Sequence, residues 1–241
     1  LTDMPSPGTD RLAGRLALVT GASRGIGRAV ALRFAAEGAD LVLVARTQAA
    51  LEELDDEVRS LGRQATLVPG DLTEDGLIER MALAVYERWQ RLDILVGNAA
   101  QLGVLSPLGH VPPDVWQRIL AVNLTANWRF IRAFDPLLRA SPAGRAIFVT
   151  DAVASGRAYW SPYAASKAAL ESMVRGYAEE VGRTTGVRVN LVRLAPTCTA
   201  LRGQAFPGED PASVRKPDQV AGAFVDLAEA GCSLSGERVD V

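Results

Sequence analysis

Thr20-Gly21-Ala22-Ser23-Arg24-Gly25-Ile26-Gly27 follows an apolar run at residues 15–20 and leads into a segment whose apolar side chains recur at helical spacing. Glycines at a strand-to-helix turn permit positive φ and let a phosphate approach the backbone, where it meets the free N–H groups and positive end of the helix. The octapeptide therefore reads as a pyrophosphate-binding turn, with Thr20, Gly21, Ser23, Arg24, Gly25, Ile26 and Gly27 as its contacts. A glycine pattern alone would be a weak signal. Its position between a strand and an amphipathic helix is what makes it informative.

Working outward, Val-, Leu- and Ile-rich runs at residues 15–20, 40–45, 64–69, 93–97, 145–150, 187–194 and 237–241 read as seven strands, with helical segments between them. The runs are continuously apolar instead of alternating, which is the pattern of strands buried on both faces. The expected architecture is α/β: a Rossmann-like, doubly wound, mostly parallel seven-stranded sheet with helices on both faces. In the first helix Ile26, Val30 and Phe34 form the packing stripe, and Glu37-Gly38 supplies the stop. No composition break marks a linker, so residues 1–14 are expected as an N-terminal extension and 15–241 as one catalytic domain. Residues 201–217, with Gly203, Pro207, Gly208, Pro211 and Pro217, read as a mobile loop rather than a core element.

Tyr163 and Lys167 stand at i, i+4 in Ser161-Pro162-Tyr163-Ala164-Ala165-Ser166-Lys167, so they share one face of a helix. A neighbouring ammonium favours the phenolate, and with Ser161 as N-cap and Pro162 as the first helical residue the helix end would push the same way. Four tyrosines and two lysines in 241 residues would give such a pair by chance in about 3% of chains of this composition. The chain otherwise uses arginine for nearly all its positive charge, yet a compact, tunable ammonium stands here.

The glycine turn and the Tyr-Lys pair together resemble the short-chain dehydrogenase/reductase family of the classical type, and the resemblance runs through most of the chain. It implies hydride transfer between a nicotinamide dinucleotide and a small-molecule carbonyl or alcohol. Tyr163 would be the general acid/base, and Lys167 would lower its pKa while holding the nicotinamide ribose. It places Asp71 and Leu72 against the adenine, Asn98 and Ala99 beside the cofactor, Asn123 in a proton relay and Thr199 near the nicotinamide. Thr150, thirteen residues before the tyrosine, takes the position of the family's substrate-binding serine. Homodimers or homotetramers through the helices holding Asn123 and Tyr163 are implied in the same way.

Cofactor choice turns on the end of the second strand, where an acidic residue would accept from the ribose 2′-hydroxyl and repel a 2′-phosphate. Arg46-Thr47 stands there instead, and with Arg24 it suits a 2′-phosphate, so NADP(H) is favoured and NAD(H) remains possible. Departures from the family pattern at Thr150, Gly97, Ala100 and Leu194-Ala195 motivate an alternative: a catalytically weakened relative that binds NADP(H) as a sensor or scaffold.

The net charge of −2 gives no electrostatic footprint for nucleic acid or a membrane surface. Cys198 and Cys232 form neither a disulfide framework nor a metal motif, and no metal site is expected. With neither a secretory h-region nor an apolar run of membrane-spanning length, a cytoplasmic setting is expected. His110, the single histidine, has no partner motif and reads as a loop residue, the acidic run at 52–57 as a solvated helix face, and Trp160 as a wall of the substrate site. The chain ends at Val241 where members of the family continue, which suggests an open pocket.

Overall fold

The computed structural model describes residues 9–241; the first eight residues of the expected extension lie outside the described residues. Seven strands form one sheet, β1 Leu16–Thr20, β2 Asp40–Ala45, β3 Ala65–Pro69, β4 Ile94–Gly97, β5 Arg145–Asp151, β6 Arg188–Leu194 and β7 Arg238–Asp240. Their order is β3-β2-β1-β4-β5-β6-β7 and every pairing is parallel. The chain winds outward from β1 to β3, then returns to place β4 on the other side of β1. That reversal opens a crevice at the carboxyl ends of β1 and β4, the natural ligand position in such a sheet.

Helices cover both faces, as the continuous apolar strands require. α1 Gly25–Ala36, α2 Gln48–Ser60 and α8 Asp218–Ala228 pack on one side, where Val30, Phe34, Leu51, Leu54 and Phe224 meet Ala17 and Val19 of β1. α3 Leu77–Trp89, α5 Ala126–Ala140 and α6 Ser161–Gly182 cover the other, where Ile78, Phe130, Phe134, Leu170 and Val174 meet Leu16 and Leu18. Neighbouring β1 residues thus feed opposite cores, the period-two geometry of a strand. α4 Pro113–Leu120 runs into α5 through a π-helical turn, Ala121–Thr125. Among the described residues no helix is long and apolar enough to cross a membrane.

The structure shifts three local expectations. Ile26 is only partly buried and lines the cleft, so the packing stripe of α1 is Gly27, Val30, Ala31, Phe34 and Ala35. The segment at 201–217 contains order: α7 Ala200–Ala205 is capped by Thr199, whose Oγ1 accepts from the Arg202 N–H at 3.2 Å, and Arg202 pairs with Glu209 at 2.5 Å. A helix this short has no periodicity to read, and the Pro207-Gly208 that follows it dominates the sequence signal. Residues 9–14 pack on the body: Leu12 is fully buried, and its N–H donates to the Glu37 carbonyl at 2.8 Å.

Candidate active site

The turn after β1 is built by its glycines and by one hydroxyl. Gly21 and Gly25 hold φ of +68° and +57°, a region that favours glycine. Gly27 is needed for another reason: a Cβ there would lie 2.3 Å from the Gly21 carbonyl oxygen and 2.6 Å from Asn98 Nδ2. Thr20 Oγ1 donates to the Val96 carbonyl at 3.2 Å and accepts from the N–H groups of Asn98 and Ala99, each at 3.0 Å. Asn98 Nδ2 in turn donates to the Thr20 carbonyl at 2.9 Å. Thr20 and Gly27, expected among the ligand contacts, thus lie behind the cleft wall and hold the β1 and β4 turns together.

Gly21, Ser23, Arg24, Gly25 and Ile26 line a cleft of about 580 Å³, as do Arg46, Asp71, Leu72, Asn98 and Ala99. Arg24 is the N-cap residue of α1 and supplies no side-chain cap, so the first N–H groups of the helix remain for a ligand. Arg24 and Arg46 are exposed, and neither has a carboxylate partner among the described residues. Thr47, expected among the cofactor contacts, is the N-cap residue of α2 and stands next to the cleft-lining Arg46. Asp71 is anchored by Thr73 and Arg118. Burial acts to raise its pKa, but hydrogen bonds from the Thr73 N–H and hydroxyl and from Arg118 prevail and hold the carboxyl near 2.

Tyr163 and Lys167 meet in the same cleft, 5% and 2% exposed. Lys167 Nζ donates to the Val149 carbonyl at 2.7 Å and lies 5.6 Å from the Tyr163 ring centre. Trp160, not Ser161, is the N-cap residue of α6, so Ser161 and Pro162 are its first two residues and Tyr163 falls within the first turn. The pKa shift of the phenol is opposite to the expected one. Burial pushes it up and the Asp151 carboxylate adds to the effect, while burial also brings the Lys167 ammonium down to about 8 against the opposing pull of Asp151.

Thr150, expected to hold a substrate oxygen, lines the cleft, and its hydroxyl donates within the fold. Thr150 Oγ1 donates to Oε1 of buried Glu171 at 2.9 Å, and Arg175 and Arg238 bind that carboxylate at Oε2. The residue that reaches Tyr163 is Asp151, twelve positions before it, whose Oδ2 accepts from the phenol at 3.4 Å. Its Oδ1 accepts from the Val153 N–H at 3.0 Å and caps the short turn Ala152–Ser155. Asp151 is at once the last residue of β5 and the cap of this turn, and the end of the strand decides its reach.

Asn123 is fully buried and stands behind the cleft lining, on the helix segment packed against the one that carries Tyr163. Its Oδ1 accepts from the Gln101 N–H at 2.8 Å, and its Nδ2 donates to the Gln101 carbonyl at 2.9 Å and to Ser166 Oγ at 3.0 Å. Ser166 Oγ donates to the Tyr163 carbonyl at 2.7 Å, which makes Asn123 a brace between the loop after β4 and the helix carrying Tyr163. Thr199 lines the cleft beside its capping bond. Trp160 stands edge-on to Tyr163 and 5.7 Å from Phe206 between ring centres, which completes an aromatic wall. Arg157 lies over both Trp160 and Phe206. No periodicity in the sequence marked Phe206, Gln101 or Ser166 as part of this region.

The uncapped helix start, the close glycine turn and the two unpaired guanidiniums fit a dinucleotide: an anionic pyrophosphate at α1 and an anionic ribose substituent at Arg24 and Arg46. Among the described residues no cluster of three or more metal-ligand side chains occurs.

The short chain dehydrogenase family model matches residues 15–210. The oxidoreductase YciK of Escherichia coli K12 is 36% identical over 226 residues, covering 92% of this chain and 88% of its own. An NAD-dependent oxidoreductase of Mycobacterium tuberculosis is 32% identical, covering 95% of each chain. A short chain dehydrogenase of Shigella flexneri 2a, solved in complex with NADP, superposes with a TM-score of 0.92 at 34% identity, over 96% of this chain and 98% of that one.

Proposed function

The chain belongs to the short-chain dehydrogenase family, and from that premise we propose that it is an oxidoreductase using NADP(H) in preference to NAD(H). It acts on a carbon bonded to an electronegative atom, the carbonyl–alcohol pair or its nitrogen counterpart. The observation that carries the reading is the convergence of Tyr163 and Lys167 on the cleft that begins at the glycine turn. Arg24 and Arg46 support the cofactor preference, since two unpaired guanidiniums match a 2′-phosphate, and the Shigella relative is described with NADP.

The residues that would hold the cofactor are Gly21, Ser23, Arg24, Gly25 and Ile26 for the pyrophosphate, Arg46 for the ribose phosphate, Asp71 and Leu72 for the base, and Lys167 for the second ribose. Bound there, the nicotinamide supplies or accepts a hydride. Tyr163 moves a proton at the substrate heteroatom; a phenol whose pKa is pushed up is held protonated and is disposed to donate, which suits the reducing direction. Lys167 offsets charge on the phenol as the proton leaves. Trp160 and Phe206 exclude water and present an apolar face to the substrate.

A second reading, a dinucleotide-binding protein with little turnover, is favoured by the engagement of Thr150 with Glu171. Fluorescence titration with NADPH and NADH, followed by a screen of ketones, 3-oxoacyl thioesters, quinones and cyclic imines for cofactor oxidation, separates the two. Binding with turnover supports the enzyme, binding without turnover supports the second reading, and failure to bind either dinucleotide refutes both.

A further inference from the structure

An acidic side chain lies where the heteroatom of the reacting bond must come to receive a proton from Tyr163. Asp151 Oδ2 is 3.4 Å from the phenol oxygen. A hydroxyl donating to a carboxylate normally approaches to about 2.5–2.7 Å, so Oδ2 has acceptor capacity to spare. Among the described residues no arginine or lysine forms an ion pair with Asp151, although seventeen such contacts occur elsewhere. Its other oxygen is committed to the Val153 N–H, which fixes the carboxylate in orientation. The neutral hydroxyl next to it in sequence, on cleft-lining Thr150, donates to Glu171.

Resting on the oxidoreductase reading above, we infer that Asp151 selects a substrate whose reacting heteroatom is a nitrogen bearing hydrogen: a protonated C=N bond, reduced to an amine, in preference to a neutral carbonyl. A carbonyl oxygen brings only lone pairs to Oδ2 and gathers negative charge as it is reduced, so the carboxylate opposes both its binding and its reduction. A protonated imine brings an N–H donor and a positive charge, and its match to Oδ2 is a charge-assisted hydrogen bond. The step balances without a proton from the protein. One hydride, from the reduced dinucleotide of the proposed function, adds to carbon, the π pair becomes the nitrogen lone pair, and the N–H bond persists. Tyr163 can then donate a proton to the amine lone pair, giving the ammonium, and regain one from solvent. The charged groups that share this cleft with Asp151 are Lys167, Arg157, Arg24, Arg46, Asp71 and Arg202; Arg202 is held by Glu209 and Asp71 by Arg118. The aromatic wall of Trp160 and Phe206 suits a cyclic, unsaturated amine.

The test compares two ligands that differ only at the reacting position, 1-aminoindane and 1-indanol, by calorimetry on the whole protein at pH 7.5, first alone and then with oxidised dinucleotide. The wild type is expected to bind the ammonium about tenfold or more tightly than the alcohol, the discrimination of one charge-assisted hydrogen bond. Asp151→Asn and Asp151→Ser both retain an acceptor for the Val153 N–H, so the capped turn survives, and in both the preference should fall to within about threefold while dinucleotide affinity stays unchanged. In turnover, 3,4-dihydroisoquinoline should outpace 2-tetralone with the wild type, and Asp151→Ser should reverse the order. Equal binding of the two indanes by the wild type, or a preference that survives both substitutions, overturns the inference. Failure of the protein to bind either dinucleotide would instead remove the reading on which it rests.

Discussion

Gly27→Ala perturbs the site without touching a ligand. The added Cβ would lie 2.3 Å from the Gly21 carbonyl oxygen, 2.8 Å from its carbonyl carbon and 2.6 Å from Asn98 Nδ2. The first two atoms are backbone, so no side-chain rotation relieves the overlap; the turn must open by about 1 Å to restore van der Waals contact, which makes this a small-to-large change costing about 1–3 kcal/mol. Asn98 must move too, which strains its 2.9 Å bond to the Thr20 carbonyl, worth about 1 kcal/mol. The combined loss of about 2–4 kcal/mol lowers Tm by about 5–15 °C for a domain of this size. Because Gly21 and Asn98 both line the cleft, NADPH affinity should fall about tenfold or more with it. Gly176→Ala is the internal comparison: Gly176 lies within α6 on an exposed face with nothing within 4 Å of its Cβ position, so alanine should raise stability by about 0.5–1 kcal/mol. Scanning calorimetry with a fluorescence titration reads both quantities. A Gly27→Ala protein with wild-type Tm and NADPH affinity would refute the close-approach account of this glycine.

Tyr163→Phe should retain dinucleotide affinity and lose ketone turnover by about 10²–10⁴-fold, the range of general acid catalysis, and unaltered steady-state rates with a ketone would dismiss Tyr163 as the proton donor. Arg46→Asp should weaken NADPH about 10–100-fold and NADH far less, as expected for removal of a charge-assisted contact to a 2′-phosphate; equal losses in parallel titrations would rule that contact out. A lysine in the unfolded chain keeps its proton to about pH 10.4, whereas Lys167 in the fold loses it near 8. Between those values the unfolded state binds the extra proton, so stability rises with pH, by about 3 kcal/mol at most. Tyr163 and Tyr177, whose phenols are pushed up, act with the opposite sign and only above about pH 10. Urea unfolding at pH 7.5 and 9.5 should therefore show a rise in the wild type that Lys167→Met flattens, and an equal rise in both proteins would contradict the burial of that charge.

The doubly wound sheet was legible because its central strands are apolar on both faces. Ala17 and Val19 feed one core while Leu16 and Leu18 feed the other, and no alternating pattern could have satisfied both. The Tyr163–Lys167 pair was legible because helical spacing carries directly into space. What the sequence does not announce are hydrogen-bond partners across irregular chain. Thr20 and Asn123 carry side chains suited to ligand contact, and their types are as expected, but each is consumed by bonds to backbone that lies far off in sequence: Val96, Asn98 and Ala99 for one, Gln101 for the other. Nothing local to either residue announces those partners. The π-helical turn that carries Asn123 inward is equally silent, since one extra residue in a helical turn leaves the composition of the segment unchanged.

The end of β5 shows how a one-residue difference becomes a chemical one. A fixed spacing of thirteen residues from Tyr163 selects Thr150, but the reach of a side chain depends on where the strand stops. Asp151 is both the last residue of the strand and the cap of the turn that follows it, so the bond to the Val153 N–H that ends β5 also aims the second carboxylate oxygen toward the phenol. Two carboxylates thus flank the end of β5: Glu171, one turn of α6 beyond Lys167, takes the hydrogen bond of the cleft-lining Thr150 hydroxyl, and Asp151 stands beside Tyr163. Converting Asp151 to serine alone would remove its charge without freeing Thr150. Recovery of a hydroxyl-lined pocket by such a variant thus depends on the new serine, and not on Thr150, which is why the indane comparison reads Asp151 directly.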